Sequence, residues 1–279
     1  MSYALLDSGS QRKLERFGPY ILSRPSSQAL WRQALPGEAW AAADAIFERE
    51  ELNSWLHPRR SLPREWEITL EGITFRIAPT DFGHVGLFPE QLPMWRWIEE
   101  RIKEEKSPVR CLNLFAYSGG ATLAAARAGA EVCHVDASKG MCDWAVDNAA
   151  RSNLRGKPIR WICDDARKFV GREIKRGVNY DAVILDPPTF GRGAKGEVFK
   201  IEDDLPPLLD GCRQLLSARP RFVLLSCHTP GLTPIILHHL LSQMMAGHKG
   251  VVESGEMVLS GEKALPLPSG TYARWRRAT

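Results

Sequence analysis

The run Asp186-Pro187-Pro188-Thr189-Phe190 brings a carboxylate, two prolines and an aromatic ring together. Two prolines in succession impose a stiff, extended backbone. Such a loop can hold its carbonyls against a planar base while an aromatic ring stacks on it. The plainer reading is an ordinary strand exit with Asp186 as a turn former. Upstream, Leu112-Asn-Leu-Phe-Ala-Tyr-Ser-Gly-Gly-Ala-Thr122 is an apolar strand that ends in Gly119-Gly120 and opens directly into a helix. Glycine lets the backbone approach a ligand closely, and a helix N-terminus offers unpaired N–H groups. Alone, that turn could be purely structural. Asp136 then ends the next strand, seventeen residues beyond Gly119, where an acid can take the two hydroxyls of a ribose. Asp165, in Cys163-Asp-Asp-Ala166, ends the third strand, where an acid can meet an adenine amino group.

The nicotinamide fingerprint G-x-G-x-x-G is absent, because the turn reads Ser-Gly-Gly-Ala-Thr-Leu. A phosphate loop G-x-x-x-x-G-K-[ST] is absent as well. These residues suit a ligand with an adenosine end and no pyrophosphate, a description that S-adenosylmethionine meets.

Positioning these groups takes a sheet. Apolar strands are predicted over 109–115, 131–135, 159–163, 180–185 and 221–226, with weaker ones over 251–259 and 271–276. Helices are predicted from the Gly-Gly turn to Ala128 and over 138–152, 167–176, 203–217 and 233–246. Continuous apolar strands alternating with helices indicate a mainly parallel sheet covered on both sides. Ligands of such sheets bind at the carboxyl ends of the strands, where Asp136, Asp165 and Asp186 fall. Before about residue 105 the character differs. Gly18-Pro19, Arg24-Pro25 and Pro36-Gly37 signal turns, and a helix is predicted over 38–50 around Trp40, Ile46 and Phe47. Trp66–Leu70 and Ile73–Ile77 alternate strictly about Glu71-Gly72, a hairpin pattern. The loop Phe82–Gln91 leads into a helix over about 93–106, and its His84 and Phe88-Pro89-Glu90-Gln91 could close over the cofactor or serve packing.

The 279 residues carry 37 Lys+Arg against 33 Asp+Glu, a net charge of +4. That permits a nucleic-acid partner without the strongly basic signature of a dedicated binder. The apolar fraction of 44% can fill a sizeable core without staples. Met1 to Arg16 contains no signal-peptide core. The apolar runs Phe222–Cys227 and Ile235–Leu241 fall short of the ~20 residues a membrane helix needs. Cys111, Cys133, Cys142, Cys163, Cys212 and Cys227 form no CxxC pair, and His238-His239 lacks a third ligand. The expectation is a reduced, cytoplasmic protein with no metal and no membrane partner.

In order, LNLFAYSGGAT, HVDASKG, DDARKF and DPPTFGRGAKGEV resemble class I S-adenosylmethionine-dependent methyltransferases. The likeness is strongest to the bacterial branch that contains the 23S ribosomal RNA methyltransferases. It covers roughly residues 66–230 and, more weakly, the opening LLDSGSQRKLERFG. The resemblance implies an α/β, Rossmann-like sheet of seven strands, mainly parallel with the last strand antiparallel. It also implies a small N-terminal β-containing subdomain over 1–92, on the substrate side, followed by a cofactor-binding domain over 93–279. Phe115, Tyr117, Ser118 and Gly119 would line the methionine end of S-adenosylmethionine. Asp136 would hold the ribose, Ala137 and Ser138 would lie beside the adenine, and Asp165 and Ala166 would contact its edge. Asp186 would face the sulfonium and the target atom, with Pro187, Pro188 and Phe190 shaping the target pocket. The implied substrate is RNA, 23S rRNA above all, and the product is S-adenosylhomocysteine.

The acceptor atom stays open. A nitrogen acceptor needs hydrogen-bond acceptors and a stacking surface, which Asp186, the Pro187–Pro188 carbonyls and Phe190 could supply. Carbon 5 of a pyrimidine needs a thiolate that adds at carbon 6. Related cytosine-carbon-5 methyltransferases carry that nucleophile in the region of Cys227, whose neighbour His228 could lower its pKa. Two features oppose the transfer: His228-Thr229-Pro230 replaces the expected small Ser/Gly sequence, and Thr189 stands where some relatives have a second cysteine. The other reading of Cys227 is a buried strand-end cysteine, and DPPTF is nearer the motif of a guanine-methylating relative. The segment 191–196, with Arg192 and Lys195, could meet RNA phosphates or be a solvated loop. Trp31, Trp40, Trp55 and Trp66 could stack bases or form a small core. A small-molecule or protein acceptor, or a non-catalytic binding module, are the alternative functions.

Overall fold

The computed structural model describes residues 3–49, 53–59, 61–193, 196–262 and 264–278. The chain divides into two compact units, Met1–Glu90 with Val258–Ser269, and Gln91–Met257 with Gly270–Thr279.

In the first unit, β1 (Tyr3–Gly9), β2 (Arg12–Phe17) and β3 (Tyr20–Pro25) precede the short helix α1 (Gly37–Ala41), β4 (Ala45–Glu48) and β5 (Ser54–Leu56). The strands form one sheet in the order β1-β2-β3-β4-β5. The helix expected over 38–50 is thus corrected. It stops after one turn, and Ala45–Glu48 pairs in parallel with β3 through Leu22↔Ala45 and Ser23↔Ile46. The Asp44 carboxylate accepts the Ile21 N–H at 2.8 Å and fixes that switch, while Ala45 and Phe47 alternate into the core. The hairpin expected over 66–77 is present as β6 (Trp66–Leu70) and β7 (Ile73–Ile77). All four N-terminal tryptophans spend their indole N–H groups internally. Trp31 donates to the Ser8 carbonyl, Trp40 to the Asp7 carboxylate, Trp55 to the Thr80 carbonyl and Trp66 to the Phe17 carbonyl.

In the second unit a single 3-10 turn, Pro89–Gln91, leads into α2 (Leu92–Lys103). There follow β8 (Arg110–Leu114), α3 (Gly120–Ala128), β9 (Glu131–Asp136), α4 (Lys139–Arg151), β10 (Ile159–Cys163), α5 (Ala166–Lys175) and β11 (Ala182–Leu185). A small hairpin of β12 (Phe190–Arg192) and β13 (Val198–Lys200) comes next, then α6 (Ile201–Gln214), β14 (Phe222–Cys227), α7 (Pro234–Met244), β15 (Gly250–Leu259) and β16 (Leu267–Arg277), of which Val258–Leu259 and Leu267–Ser269 belong to the first unit. The seven-stranded sheet runs β10-β9-β8-β11-β14-β16-β15. Its first five strands are mutually parallel, and β16 lies antiparallel to β14. The central strands are apolar on both faces: β11 and β14 are buried throughout. One core cluster gathers Leu112, Val183, Val223 and Phe169, and a second gathers Ile98, Ala125, Ile184 and Phe222. The strand order reverses between β8 and β11, which opens a crevice at their carboxyl ends.

Candidate active site

The chain leaves β8 through a turn that L-residues resist. Phe115 (φ 56°) and Tyr117 (φ 50°) are left-handed, and Gly119 (φ 93°) precedes the first turn of α3. Non-glycine residues rarely adopt this conformation, and it recurs where surrounding structure enforces it for function. Here the enforcement is visible. The Tyr117 N–H donates to Asp136 Oδ2 at 2.9 Å, and the buried Asn148 amide donates to the Ser118 carbonyl at 2.9 Å. A Cβ on Gly120 would lie 2.2 Å from the Trp95 ring, so that position admits no side chain without moving the ring. Beneath the turn, the Asn113 amide donates to Thr122 Oγ1 at 2.8 Å, and Thr122 Oγ1 lies 3.0 Å from His134 Nδ1. Burial pushes His134 down to about 3, so the ring is neutral and serves as scaffold.

Asp136 closes β9. Its Oδ1 accepts the Ser138 N–H at 2.9 Å and its Oδ2 the Tyr117 N–H. Burial raises the carboxyl above the usual aspartate range, and the two N–H groups offset only part of that. An ionised carboxylate with two donors keeps acceptor capacity for two further hydroxyls. Asp165 spends its carboxylate differently. It caps α5 through the Arg167 and Lys168 N–H groups at 2.9 and 3.1 Å, and pairs with the Arg167 guanidinium at 2.9 Å. Burial acts to raise this carboxyl too, but the Arg167 hydrogen bond and the helix N–H groups outweigh it and hold it low. A further donor on Asp165 would share oxygens already engaged.

Asp186 follows β11, and three groups converge on its carboxylate. Ser226 Oγ donates to Oδ1 at 2.7 Å, Gln91 Nε2 donates to Oδ2 at 3.1 Å, and His228 Nε2 stands 3.9 Å from Oδ2. The second hydrogen of the Gln91 amide reaches Ser226 Oγ at 3.0 Å, which closes a three-membered network. Pro187 is buried, whereas Pro188, Thr189 and Phe190 are exposed. Phe190 is 50% exposed with the Arg192 guanidinium over its ring. Thr189 Oγ1 lies 2.8 Å from Thr229 Oγ1 and ties the Asp186–Phe190 loop to the exit of β14.

The segment expected as a loop over 191–196 begins within the β12–β13 hairpin. Arg192 is exposed on it, and Gly193 N–H donates to the Glu197 carbonyl at 2.8 Å. Ala194 and Lys195 lie outside the described residues. Cys227 is 1% exposed within the main core cluster. Burial raises its thiol, and the Thr229 N–H donates to its sulfur at 3.2 Å. A nucleophilic cysteine needs an accessible, low-pKa environment. This geometry favours the buried strand-end reading. Among the described residues no three metal-ligating side chains converge, and no helix is long and apolar enough to cross a membrane.

Ser226 and Asn148 escape the motif reading of the sequence, and Gln91 enters it only as the end of a segment that could close over the cofactor, not as a partner of Asp186. Gln91 is 95 residues from Asp186 and 135 from Ser226, so no local spacing links them. The one signal is that Gln91 ends the loop before α2.

Residues 24–243 match the family model of S-adenosylmethionine-dependent methyltransferases. A solved S-adenosylmethionine-dependent methyltransferase from Agrobacterium tumefaciens is 42% identical over 100% of this chain and 91% of its own, with a TM-score of 0.95. SMU.776, solved with S-adenosylhomocysteine, shares the fold at 17% identity and a TM-score of 0.77, over 99% of this chain and 75% of its own. Ribosomal RNA large subunit methyltransferase K/L of Magnetococcus marinus is 34% identical over 53% of this chain and 20% of its own length. The Pseudoalteromonas translucida protein of the same name is 33% identical over 52% and 20%. The matched part is thus about a fifth of the length of these curated relatives.

Proposed function

This chain belongs to the S-adenosylmethionine-dependent methyltransferase family, and from that premise we propose that it methylates a base in RNA, with 23S ribosomal RNA as substrate. The observation that carries the proposal is the Asp186 carboxylate, held by Gln91 and Ser226 at the crevice and followed by buried Pro187 and half-exposed Phe190. A carboxylate aligned in this way accepts a hydrogen bond from an amino or imino nitrogen, and an exposed ring beside it stacks a base drawn out of its helix. Charge supports a polyanionic partner. The second unit carries 26 Lys+Arg against 20 Asp+Glu, whereas the first carries 11 against 13. Two relatives bear the name of a ribosomal RNA methyltransferase, which supports the same substrate.

The residues fit the cofactor. In this proposal Asp136 accepts the ribose hydroxyls, Ala137 and Ser138 flank the adenine, and Asp165 and Ala166 meet its edge. Phe115, Tyr117, Ser118 and Gly119 receive the amino-acid end, at a left-handed turn where a Cβ on Gly119 would be strained and would press on Ala145. Bound S-adenosylmethionine supplies an electrophilic methyl group on a sulfonium. The protein's work is alignment, which alone can account for much of the acceleration. Asp186 orients the acceptor's N–H and exposes its lone pair, Pro187 and Pro188 stiffen the loop, and Phe190 fixes the plane of the base. The buried Cys227 favours a nitrogen acceptor over carbon 5. The test is transfer of labelled methyl from S-adenosylmethionine to 23S rRNA, with nucleoside analysis of rRNA from a deletion strain. A missing methylated nucleotide that the purified enzyme restores is expected. Labelling of protein or small metabolites, with RNA untouched, would overturn the RNA reading.

A further inference from the structure

All six cysteines are among the described residues, and only Cys163 is exposed. Its position is unusual for a second reason. β10 and β9 pair in parallel with Cys163 beside Asp136, so the thiol emerges at the strand end next to the proposed ribose-binding carboxylate. The Cys163 thiol donates to the Ala137 carbonyl at 3.8 Å. Cys142, in the first turn of α4, points at the same strand ends from the helix side. Its thiol donates to the Asp136 and Ile162 carbonyls, each at 3.6 Å. The two thiols reach the carbonyls of successive residues, Asp136 and Ala137. One exposed thiol and one buried thiol thus share the backbone of Asp136–Ala137, where the proposed adenosine wall begins.

We propose that Cys163 and Cys142 are an oxidisable thiol pair, a modification site for hydroperoxides, and that its disulfide weakens cofactor binding by displacing the Asp136–Ser138 backbone. The link to the cofactor rests on the adenosine placement given above. The chemistry balances with a hydroperoxide as oxidant. The Cys163 thiolate attacks the distal peroxide oxygen; the O–O bond breaks, and hydroxide or alkoxide leaves with the electron pair. The resulting sulfenic acid then condenses with the Cys142 thiol, forming the S–S bond and releasing water. Two electrons pass from the sulfur pair to the peroxide. Exposure assigns the attack to Cys163. Cys142, pushed up to about 12 by burial, is a thiol rather than a thiolate and suits the resolving role. In the reduced state both sulfurs face carbonyls. A disulfide removes both S–H donors and draws the α4 turn toward β10. Ser138, the N-cap of α4, moves with that turn, because its carbonyl accepts the Cys142 N–H at 3.0 Å.

The experiment treats the reduced, full-length protein with hydrogen peroxide and reads thiol count, sulfenate trapping by dimedone and calorimetric affinity for S-adenosylmethionine. Expected are the loss of two thiols, mapped to Cys163 and Cys142, and binding about tenfold weaker, both restored by dithiothreitol. C142S should accumulate the dimedone adduct at Cys163, and C163S should keep its thiols and its affinity under peroxide. Bound cofactor should slow the oxidation. Oxidation of other cysteines first, or a Cys163–Cys142 disulfide that leaves affinity unchanged, would overturn the proposal. Oxidation that weakens binding equally in C163S would do so too. Failure of the adenosine placement reads differently: reduced D136A would then bind the cofactor as tightly as the wild type.

Discussion

The amide of Gln91, at the start of α2, spans from Asp186 Oδ2 at 3.1 Å to Ser226 Oγ at 3.0 Å, so a helix start and two strand ends fix one carboxylate. Loss of either donor leaves the Asp186 carboxylate with one of these two hydrogen bonds and looser alignment. Gln91→Ala and Ser226→Ala should lower kcat by about ten- to a hundredfold, since misplacement near 1 Å costs that much. The KM for S-adenosylmethionine should change little. Steady-state kinetics with RNA separates the two, and a pure KM effect would assign Gln91 to the cofactor instead.

Asp136 offers a pH signature. Because its carboxyl is raised by burial, it takes up a proton at a higher pH than an ordinary aspartate, and a protonated carboxyl loses acceptor strength for ribose hydroxyls. Cofactor affinity should therefore fall as pH drops through this raised value, before free carboxylates titrate. Asp136→Ala should weaken binding by about ten- to a hundredfold at neutral pH, the worth of hydrogen bonds to a charged group. Calorimetry across pH checks both.

Cys227→Ala should retain methyl transfer within about twofold while losing about 1–2 kcal/mol of stability, the usual result of trimming a packed core. Activity and urea melts measure the two effects. Abolished transfer with an intact fold would instead restore the carbon-5 mechanism.

Arg24 and Glu15 pair at 2.7 Å, with the Glu15 side chain fully buried. Burial raises the Glu15 carboxyl, but Arg24 and Lys13 outweigh it and leave it below the usual glutamate range. For a depressed carboxyl the stabilisation is present above the unfolded pKa and is lost as pH falls through the folded one. The first unit should thus weaken in strong acid. Arg24→Ala should cost about 3–5 kcal/mol by stranding a buried charge, read as a lowered melting transition.

How legible all this is in the sequence depends on what each face of a strand must bury. The parallel sheet is readable because β11 and β14 are apolar on both faces, and so short an unbroken apolar run, repeated between helices, must be covered from both sides. The five-stranded sheet is hidden because its buried side chains include Asp7, Glu15 and Arg24. Asp7 looks like a surface residue until its carboxylate is seen to accept the Ala34 and Leu35 N–H groups and the Trp40 indole. The spacing of Asp136 and Asp186 locates two strand ends, because turns and strands are local. Gln91 and Ser226 meet only through tertiary packing. Asp165 shows that one residue type serves two ends: the same aspartate that suits a ligand also suits a helix N-cap.

The first unit is not one stretch of chain. Leu5 and Ala29 share a core cluster with Leu259 and Leu267, and Gly261 comes so near the Leu5 carbonyl that a Cβ there would lie 2.2 Å from it. On a translating ribosome, the cluster around Leu5 and Ala29 must therefore wait until residue 267 has emerged before it can close, whereas that of Leu14, Trp40 and Ala43 needs nothing beyond residue 46. Cutting at residue 90 would not release a self-sufficient module, and exchange of this unit between relatives would have to carry both segments together. Gene fusion and recombination thus meet a unit made of two segments, 1–90 and 258–269, with residues 91–257 of the other unit between them in the chain.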